Sequence, residues 1–152
     1  MSLTYQLERW SDIKRAEMDP LFALHWEEIA LNKDKIKLDV DYERYRKLDE
    51  ANMLHIVTLR DDGRLVGYHC SLLDTHLHYK GDIMALTDVY FLLPEYRKGR
   101  TGIRLFQVVE QTLKARGITK MITATKLHRD KGRLFEAMGW TEIERVYTKM
   151  IR

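Results

Sequence analysis

Apolar and polar positions repeat with two different periods along this chain, and the switches between them mark its elements. Thr4 to Arg9 alternates loosely and predicts a short first strand. Ser11 suits an N-cap, with a weak helix Asp12–Glu17 behind it. Asp19-Pro20 then pairs a capping acid with a proline at the first helical position. The helix it opens, Leu21–Leu31, sets Phe22, His25, Trp26 and Ile29 on one face. After the charged connector Lys33–Lys37, Asp41–Ala51 reads as helical, with Tyr42, Tyr45 and Leu48 at helical spacing. From Met53 the period becomes two: Leu54, Ile56 and Thr58 alternate with His55, Val57 and Leu59. Asp61-Asp62-Gly63 ends that strand in a hairpin signal. Arg64–His78 and Ile83–Leu93 follow as long strands joined through Lys80-Gly81-Asp82, and Pro94, which cannot donate to a ladder, closes the second.

The period then returns to the helical one. In Thr101–Arg116, Gly102, Leu105, Phe106, Val109 and Leu113 share a face, while Arg104, Gln107, Gln111 and Lys114 share the opposite one. Gly117 stops the helix. A strand Lys120–Thr125, a shorter helix of about Asp130–Met138 ending at Gly139, and a last strand of about Trp140–Met150 complete the chain. Three consecutive strands followed by strand–helix–strand units imply an α/β domain, with a mixed sheet and helices on both faces. No repeat, low-complexity segment or linker divides residues 1–152, so one domain is expected.

Composition narrows the function classes. The chain is 45% hydrophobic and 32% charged, which excludes disordered and collagen-like readings. A net charge of +3 suits an anionic ligand and is too weak to imply nucleic-acid binding. The one cysteine, Cys70, excludes an internal disulfide and a cysteine metal cluster and favours a reducing, cytoplasmic setting. The opening MSLTYQLERW lacks a basic region followed by an apolar run and does not read as a secretion signal. No apolar run approaches the length of a membrane span.

The chemistry concentrates in FLLPEYRKGRTG, residues 91–102. A glycine-bearing turn before a helix offers unpaired N–H groups and the positive end of the helix dipole, which together hold an anion such as a pyrophosphate. Arg97, Lys98, Arg100 and Arg104 add positive charge there. The Walker sequence and the GxGxxG dinucleotide fingerprint are both missing.

With its strand order, this turn resembles that of the GNAT N-acetyltransferases, phage-type members included. Arg97 and Gly102 occupy the outer positions of that family's Gln/Arg-x-x-Gly-x-Gly/Ala signature. Arg100 replaces the middle glycine, and Gly99 supplies one a residue earlier. A second segment, RLFEAMGW at 133–140, is similar to the family's late Leu-Tyr-Glu-x-Leu-Gly-Phe motif. The resemblance implies an acyl-CoA N-acyltransferase-like fold, with a mixed, mostly antiparallel sheet and a central splayed strand pair. It also implies acetyl-CoA as co-substrate, transferring directly to a primary amine. Phe91, Leu92 and Leu93 would meet the pantetheine arm. Arg97, Lys98, Gly99, Arg100, Thr101 and Gly102 would hold the pyrophosphate, and Phe135 would border the coenzyme.

Phe135 stands where many relatives place a tyrosine that protonates the departing thiolate; Tyr147 or water would have to serve instead. Asp88 and Glu28 are the candidate bases. Asp88 is a carboxylate in an otherwise apolar strand, which costs free energy unless it is paired or faces a cavity; Glu28 lies on the early helix expected to wall the acceptor cleft. Each could equally be a solvated or paired acid. His25 reads as a core-edge residue and His128 as a helix cap. His76 and His78 share a strand face without clustered metal ligands, so a solvent-facing edge outweighs a metal site. Tyr42, Tyr45, Trp26 and Tyr68 either line an acceptor pocket or belong to the core. The rival functional reading is a non-catalytic acyl-CoA-binding or sensing module. The acceptor and the oligomeric state stay open, with a homodimer among the options.

Overall fold

A computed structural model describes residues 2–152, leaving Met1, the first residue of the opening weighed above as a secretion signal, outside the described residues. Its core is a five-stranded sheet in the order β1 (Leu3–Glu8), β2 (Leu54–Asp61), β3 (Arg64–His76), β4 (Tyr79–Leu92), β5 (Lys120–Ile122). All neighbours are antiparallel except β4 and β5, which run parallel. The mixed, mostly antiparallel sheet is therefore as expected.

β2 is buried along almost its whole length because both faces are covered. One face carries Leu54, Ile56, Val66 and Tyr68 under α1 (Arg15–Ile29) and α2 (Tyr42–Glu50), which contribute Met18, Leu21, Phe22 and Tyr45. The other face buries Val57, Leu73 and Ala85 against Leu105, Val109 and Leu113 of α3 (Thr101–Ala115). The predicted apolar stripe of α3 thus docks on the sheet, and helices lie on both faces. α4 (Gly132–Ala137) adds Phe135 to an aromatic cluster with Tyr90, Phe106 and Trp140.

Several predicted boundaries move. The two early helices are one, Arg15–Ile29, and Pro20 lies inside it. The Glu17 carboxylate accepts the Lys14 amide at 3.2 Å and starts the helix. Buried Met18, Leu21, Phe22 and His25 carry it through the amide that Pro20 lacks, because packing outweighs the local signal. The β3–β4 hairpin turns at Leu77-His78, with His76 opposite Tyr79, so Lys80-Gly81-Asp82 belongs to β4. β5 stops at Ile122. The last predicted strand does not form: residues 141–152 have no regular structure and enter no ladder among the described residues. Strand composition alone does not make a strand; a ladder partner does, and this segment engages none among the described residues.

Candidate active site

The site begins at an irregularity in β4. Cys70 pairs with Val89 and Ser71 with Thr87, so Asp88 is the extra, unpaired residue of a β-bulge. A bulge bends its strand and re-aims side chains. Here it falls where β4 and β5 part company. Their ladder runs from Met84↔Lys120 to Leu86↔Ile122 and ends there. Beyond it, among the described residues, no ladder joins Thr87–Leu92 to the chain after β5; the Tyr90 hydroxyl donates across the gap to the Ala124 carbonyl at 3.2 Å. The splayed strand pair implied by the resemblance is present, and Asp88 stands at its fork.

Asp88 accepts a hydrogen bond from the Tyr45 hydroxyl of α2. Tyr45 is fixed in turn by Trp10, which stacks on it at 4.4 Å and 13°. Trp10 is anchored by the buried Asp49 carboxylate, which accepts from the Trp10 amide at 3.2 Å and from Arg9 Nε at 2.9 Å. Water reaches Asp88, yet Tyr45, Tyr68 and Cys70 crowd around it. Loss of hydration raises its carboxyl above the ordinary carboxylate range, and the Tyr45 hydrogen bond pulls the other way. Burial, followed by the neighbouring Asp88 charge, raises the Tyr45 phenol, so it stays a donor at neutral pH. Beneath them His25 Nδ1 lies 3.3 Å from the Tyr68 hydroxyl. Burial lowers the His25 ring to about 4, so it is neutral at pH 7. It is the core-edge histidine expected.

Glu28 is placed differently. Its Oε1 lies 2.7 Å from Arg97 Nη2, so its charge is already paired. Arg97 Nε donates to the Leu92 carbonyl at 2.7 Å, and the guanidinium sits 5.1 Å from the Phe91 ring centroid. Arg97 thereby ties α1 to the end of β4, a link the sequence does not reveal.

The turn itself starts with a 3-10 segment at Pro94–Tyr96, pinned by the Tyr96 hydroxyl donating to Asp61 at 2.5 Å. Gly99 takes φ +59°, a left-handed conformation natural to glycine. The Arg97 amide is spent on the Pro94 carbonyl at 3.1 Å, and the Thr101 amide on Lys98 at 3.4 Å. The amides of Lys98, Gly99, Arg100, Gly102 and Ile103 donate to no protein group among the described residues. The donor set is therefore narrower than Arg97–Gly102 and extends one residue further into α3. Tyr5 holds the helix start by donating to the Thr101 carbonyl at 3.0 Å. Lys98, Arg100 and Arg104 form no ion pair among the described residues.

Gly102 is not required by close packing of helix on sheet. A Cβ there would meet Leu92 Cδ1 at 3.6 Å, an ordinary contact. Leu93 is buried, and its amide donates to the Val66 carbonyl at 2.9 Å, so that donor does not face the cleft. Phe91 is buried against His25 and Tyr68. Phe135 is buried edge-on to Phe106 at 5.3 Å. Between α3 and α4 a groove of about 410 Å³ runs from Arg100 and Ile103 to Trp140. Another hollow, lined by Asp61, Asp62 and Glu95 with a single lysine, is the wrong sign for an anion.

The remaining candidates do not converge here. Tyr147 is exposed in the tail, His128 is exposed in a 3-10 turn, and Trp26 sits at the rim beneath Lys33. His76 and His78 lie 5.3 Å apart on the exposed hairpin, and among the described residues no set of metal ligands gathers.

β4 thus carries a bulge, a fork against β5 and a basic, donor-rich turn at its open end. The acetyltransferase (GNAT) family model matches residues 11–140, and the chain belongs to that family. An acetyltransferase from Trypanosoma brucei superposes with TM-score 0.73 at 15% identity, covering 99% of this chain and 100% of the other. A soil-metagenome aminoglycoside acetyltransferase in complex with sisomicin gives 0.72 at 16% identity, with 97% and 96% covered. AAC(6')-Iy, bound to the bisubstrate analogue CoA-S-monomethyl-acetylneamine, gives 0.64 at 17% identity, with 100% and 99% covered. At these identities the likeness is one of fold. A comparison with curated protein sequences finds no match.

Proposed function

We propose that residues 1–152 act as one domain that transfers the acetyl group of acetyl-CoA to a primary amine, directly and within a ternary complex. The observation that carries this reading is the coincidence of three features: the fork after Leu86, the bulged Asp88 in that fork, and the free amides of Lys98, Gly99, Arg100, Gly102 and Ile103. The amides, the helix dipole and Lys98, Arg100 and Arg104 suit a pyrophosphate. The unladdered edge of β4 suits the amide groups of pantetheine, and this run ends in the fork.

Asp88 is then the base. A carboxyl raised by desolvation accepts a proton from an ammonium more readily than an ordinary carboxylate, and Tyr45 keeps it oriented. The deprotonated amine attacks the acetyl carbonyl carbon; the C–N bond forms, the C–S bond breaks and the thiolate leaves. Phe135 offers no proton; the nitrogen sheds its second proton as the amide forms, that proton passes through water to the leaving thiolate, and Asp88 returns its own to solvent. Glu28 serves by holding Arg97 rather than as a base. The one cysteine, Cys70, is a buried free thiol, which suits the reducing, cytoplasmic setting that we propose.

Phe135 also leaves room for a binding module without turnover. Thiol release from acetyl-CoA, measured against a panel of polyamines, aminoglycosides and peptides, separates the two. Amine-dependent release supports the enzyme, and coenzyme binding with no release from any amine supports the sensor.

A further inference from the structure

The fork between β4 and β5 has two faces, and only one of them holds the base. Asp88 lies on the face covered by α2, where Tyr45 meets it. Tyr90 lies on the opposite face, its ring edge-on to Phe106 of α3 at 5.2 Å and to Phe135 of α4 at 6.1 Å. From there its hydroxyl reaches across the gap to the Ala124 carbonyl at 3.2 Å. Leu86↔Ile122 is the last pair of the ladder, and Asp88 and Ala124 each stand two residues beyond it. The Tyr90 phenol and the Asp88 carboxylate therefore flank the gap at one level, from opposite faces. Thr123 is a second, independent sign that a polar group belongs in this gap. Side chains alternate along an extended chain, so Thr123 follows Met121 toward α3. Its hydroxyl is buried without a hydrogen-bond partner among the described residues, a cost to the fold that a ligand or a water would remove.

We propose that Tyr90 hands the proton to the leaving coenzyme thiolate, doing from β4 what Phe135 cannot do from α4, and that Thr123 holds the water through which Tyr90 regains it. This step rests on the acetyl-transfer reading of the fork. Pantetheine laid along β4 brings the thioester into the gap between Tyr90 and Asp88, so the amine is deprotonated on one face and the sulfur is protonated on the other. As the C–S bond breaks, its electron pair goes to sulfur, and the sulfur takes the Tyr90 hydroxyl proton. The Tyr90 oxygen takes the second proton shed by the nitrogen, passed on by the water at Thr123. Tyr90 ends as it began, and no free phenolate accumulates. Burial raises the Tyr90 phenol; a hydrogen bond with Thr125 opposes the rise and the Asp130 charge adds to it, so the hydroxyl keeps its proton at neutral pH. His69, stacked on Tyr90 at 6.2 Å, is lowered by burial to about 3 and is neutral there.

The test is Tyr90→Phe in the full chain, which removes one oxygen and keeps the ring on Phe106 and Phe135. With acetyl-CoA and the fastest amine of the panel, kcat should fall about 100-fold, the low end for acid–base catalysis because a thiolate is a fair leaving group. The Kd for acetyl-CoA by calorimetry should not change. An unchanged kcat overturns the proposal, and so does a loss confined to KM and Kd for acetyl-CoA, which marks a hydroxyl that only ties the fork through Ala124. Tyr90→3,5-difluorotyrosine keeps the hydroxyl and makes the phenol more acidic. Turnover at neutral pH should survive and the alkaline limb of kcat should move to lower pH; a limb that stays in place overturns the assignment. Thr123→Val added to Tyr90→Phe should lower kcat no further, because the two groups act in series, and an additive loss removes Thr123 from the route. No thiol release from the unmodified protein with any amine overturns the transfer reading and this step with it. Release from the unmodified protein that Tyr90→Phe leaves intact overturns Tyr90 alone.

Discussion

Removing the Tyr45 hydroxyl should move the pH dependence of transfer in a direction fixed by the geometry. Tyr45 donates to Asp88, and that bond favours the charged carboxylate, opposing the rise that desolvation causes. In Tyr45→Phe only the rise remains. A hydrogen bond to a charged acceptor is worth about 1.5–3 kcal/mol. Water reaches Asp88, which trims the effect toward about 1 kcal/mol. That corresponds to roughly 0.7 of a pH unit. The acid limb of kcat/KM should therefore shift upward by about that amount, with little change at the plateau. The assay is thiol release across pH 5–9 with the fastest amine of the panel. Asp88→Asn preserves the shape and the Tyr45 contact but removes the base. It should lower kcat by roughly 10²–10⁴-fold and abolish the limb, with coenzyme affinity unchanged. A limb that stays put or moves down in Tyr45→Phe, or survives in Asp88→Asn, refutes Asp88 as the base.

Other outcomes follow from the same structure. Gly102→Glu places a negative side chain among the free amides and should weaken acetyl-CoA binding at least tenfold by calorimetry; an unchanged Kd would mean the pyrophosphate lies elsewhere. Arg97→Ala should leave Glu28 unpaired and loosen α1 from β4, raising KM for the amine more than for acetyl-CoA; equal effects on both would deny that the ion pair positions the acceptor wall. Burial lowers His25, His55 and His69 to about 4, about 4 and about 3. Because the unfolded chain takes up those protons first, their contribution is complete above pH 6.5 and is lost as pH falls toward 4. At pH 5 the loss is about 2 kcal/mol per ring, roughly 6 kcal/mol in all, comparable to a typical domain's stability. Urea midpoints that are flat between pH 8 and pH 5 would contradict this.

Much of the molecule was legible in its residues because the relevant forces are local. The alternation in 54–61 and 64–76, the Asp62-Gly63 turn and the stripe of Leu105, Phe106, Val109 and Leu113 each predict an element that forms. The turn at 94–102 was legible for the same reason. What escaped depends on partners distant in sequence. A two-residue period cannot register the extra residue that bulges Asp88, nor can helical spacing show Tyr45 meeting a carboxylate 43 positions away. Trp10, which holds Tyr45, carries no signal except its size. Pro20 misplaced the start of α1 because burial of Phe22 and His25 overrides it. The segment 140–150 has the composition of a strand but joins no ladder among the described residues. The space beside Gly102 would accept an alanine, so packing of α3 on the sheet does not call for a glycine there.

The central claim is that the fork and the turn bind acetyl-CoA, and thermal unfolding with acetyl-CoA, CoA and ATP at matched concentrations tests it most directly. At a hundredfold excess over Kd, binding adds about 2.7 kcal/mol. For a chain of 152 residues that is roughly 5–10 °C. The account predicts such a rise in Tm with acetyl-CoA and with CoA, and a clearly smaller one with ATP. No selective rise with either coenzyme form would contradict it.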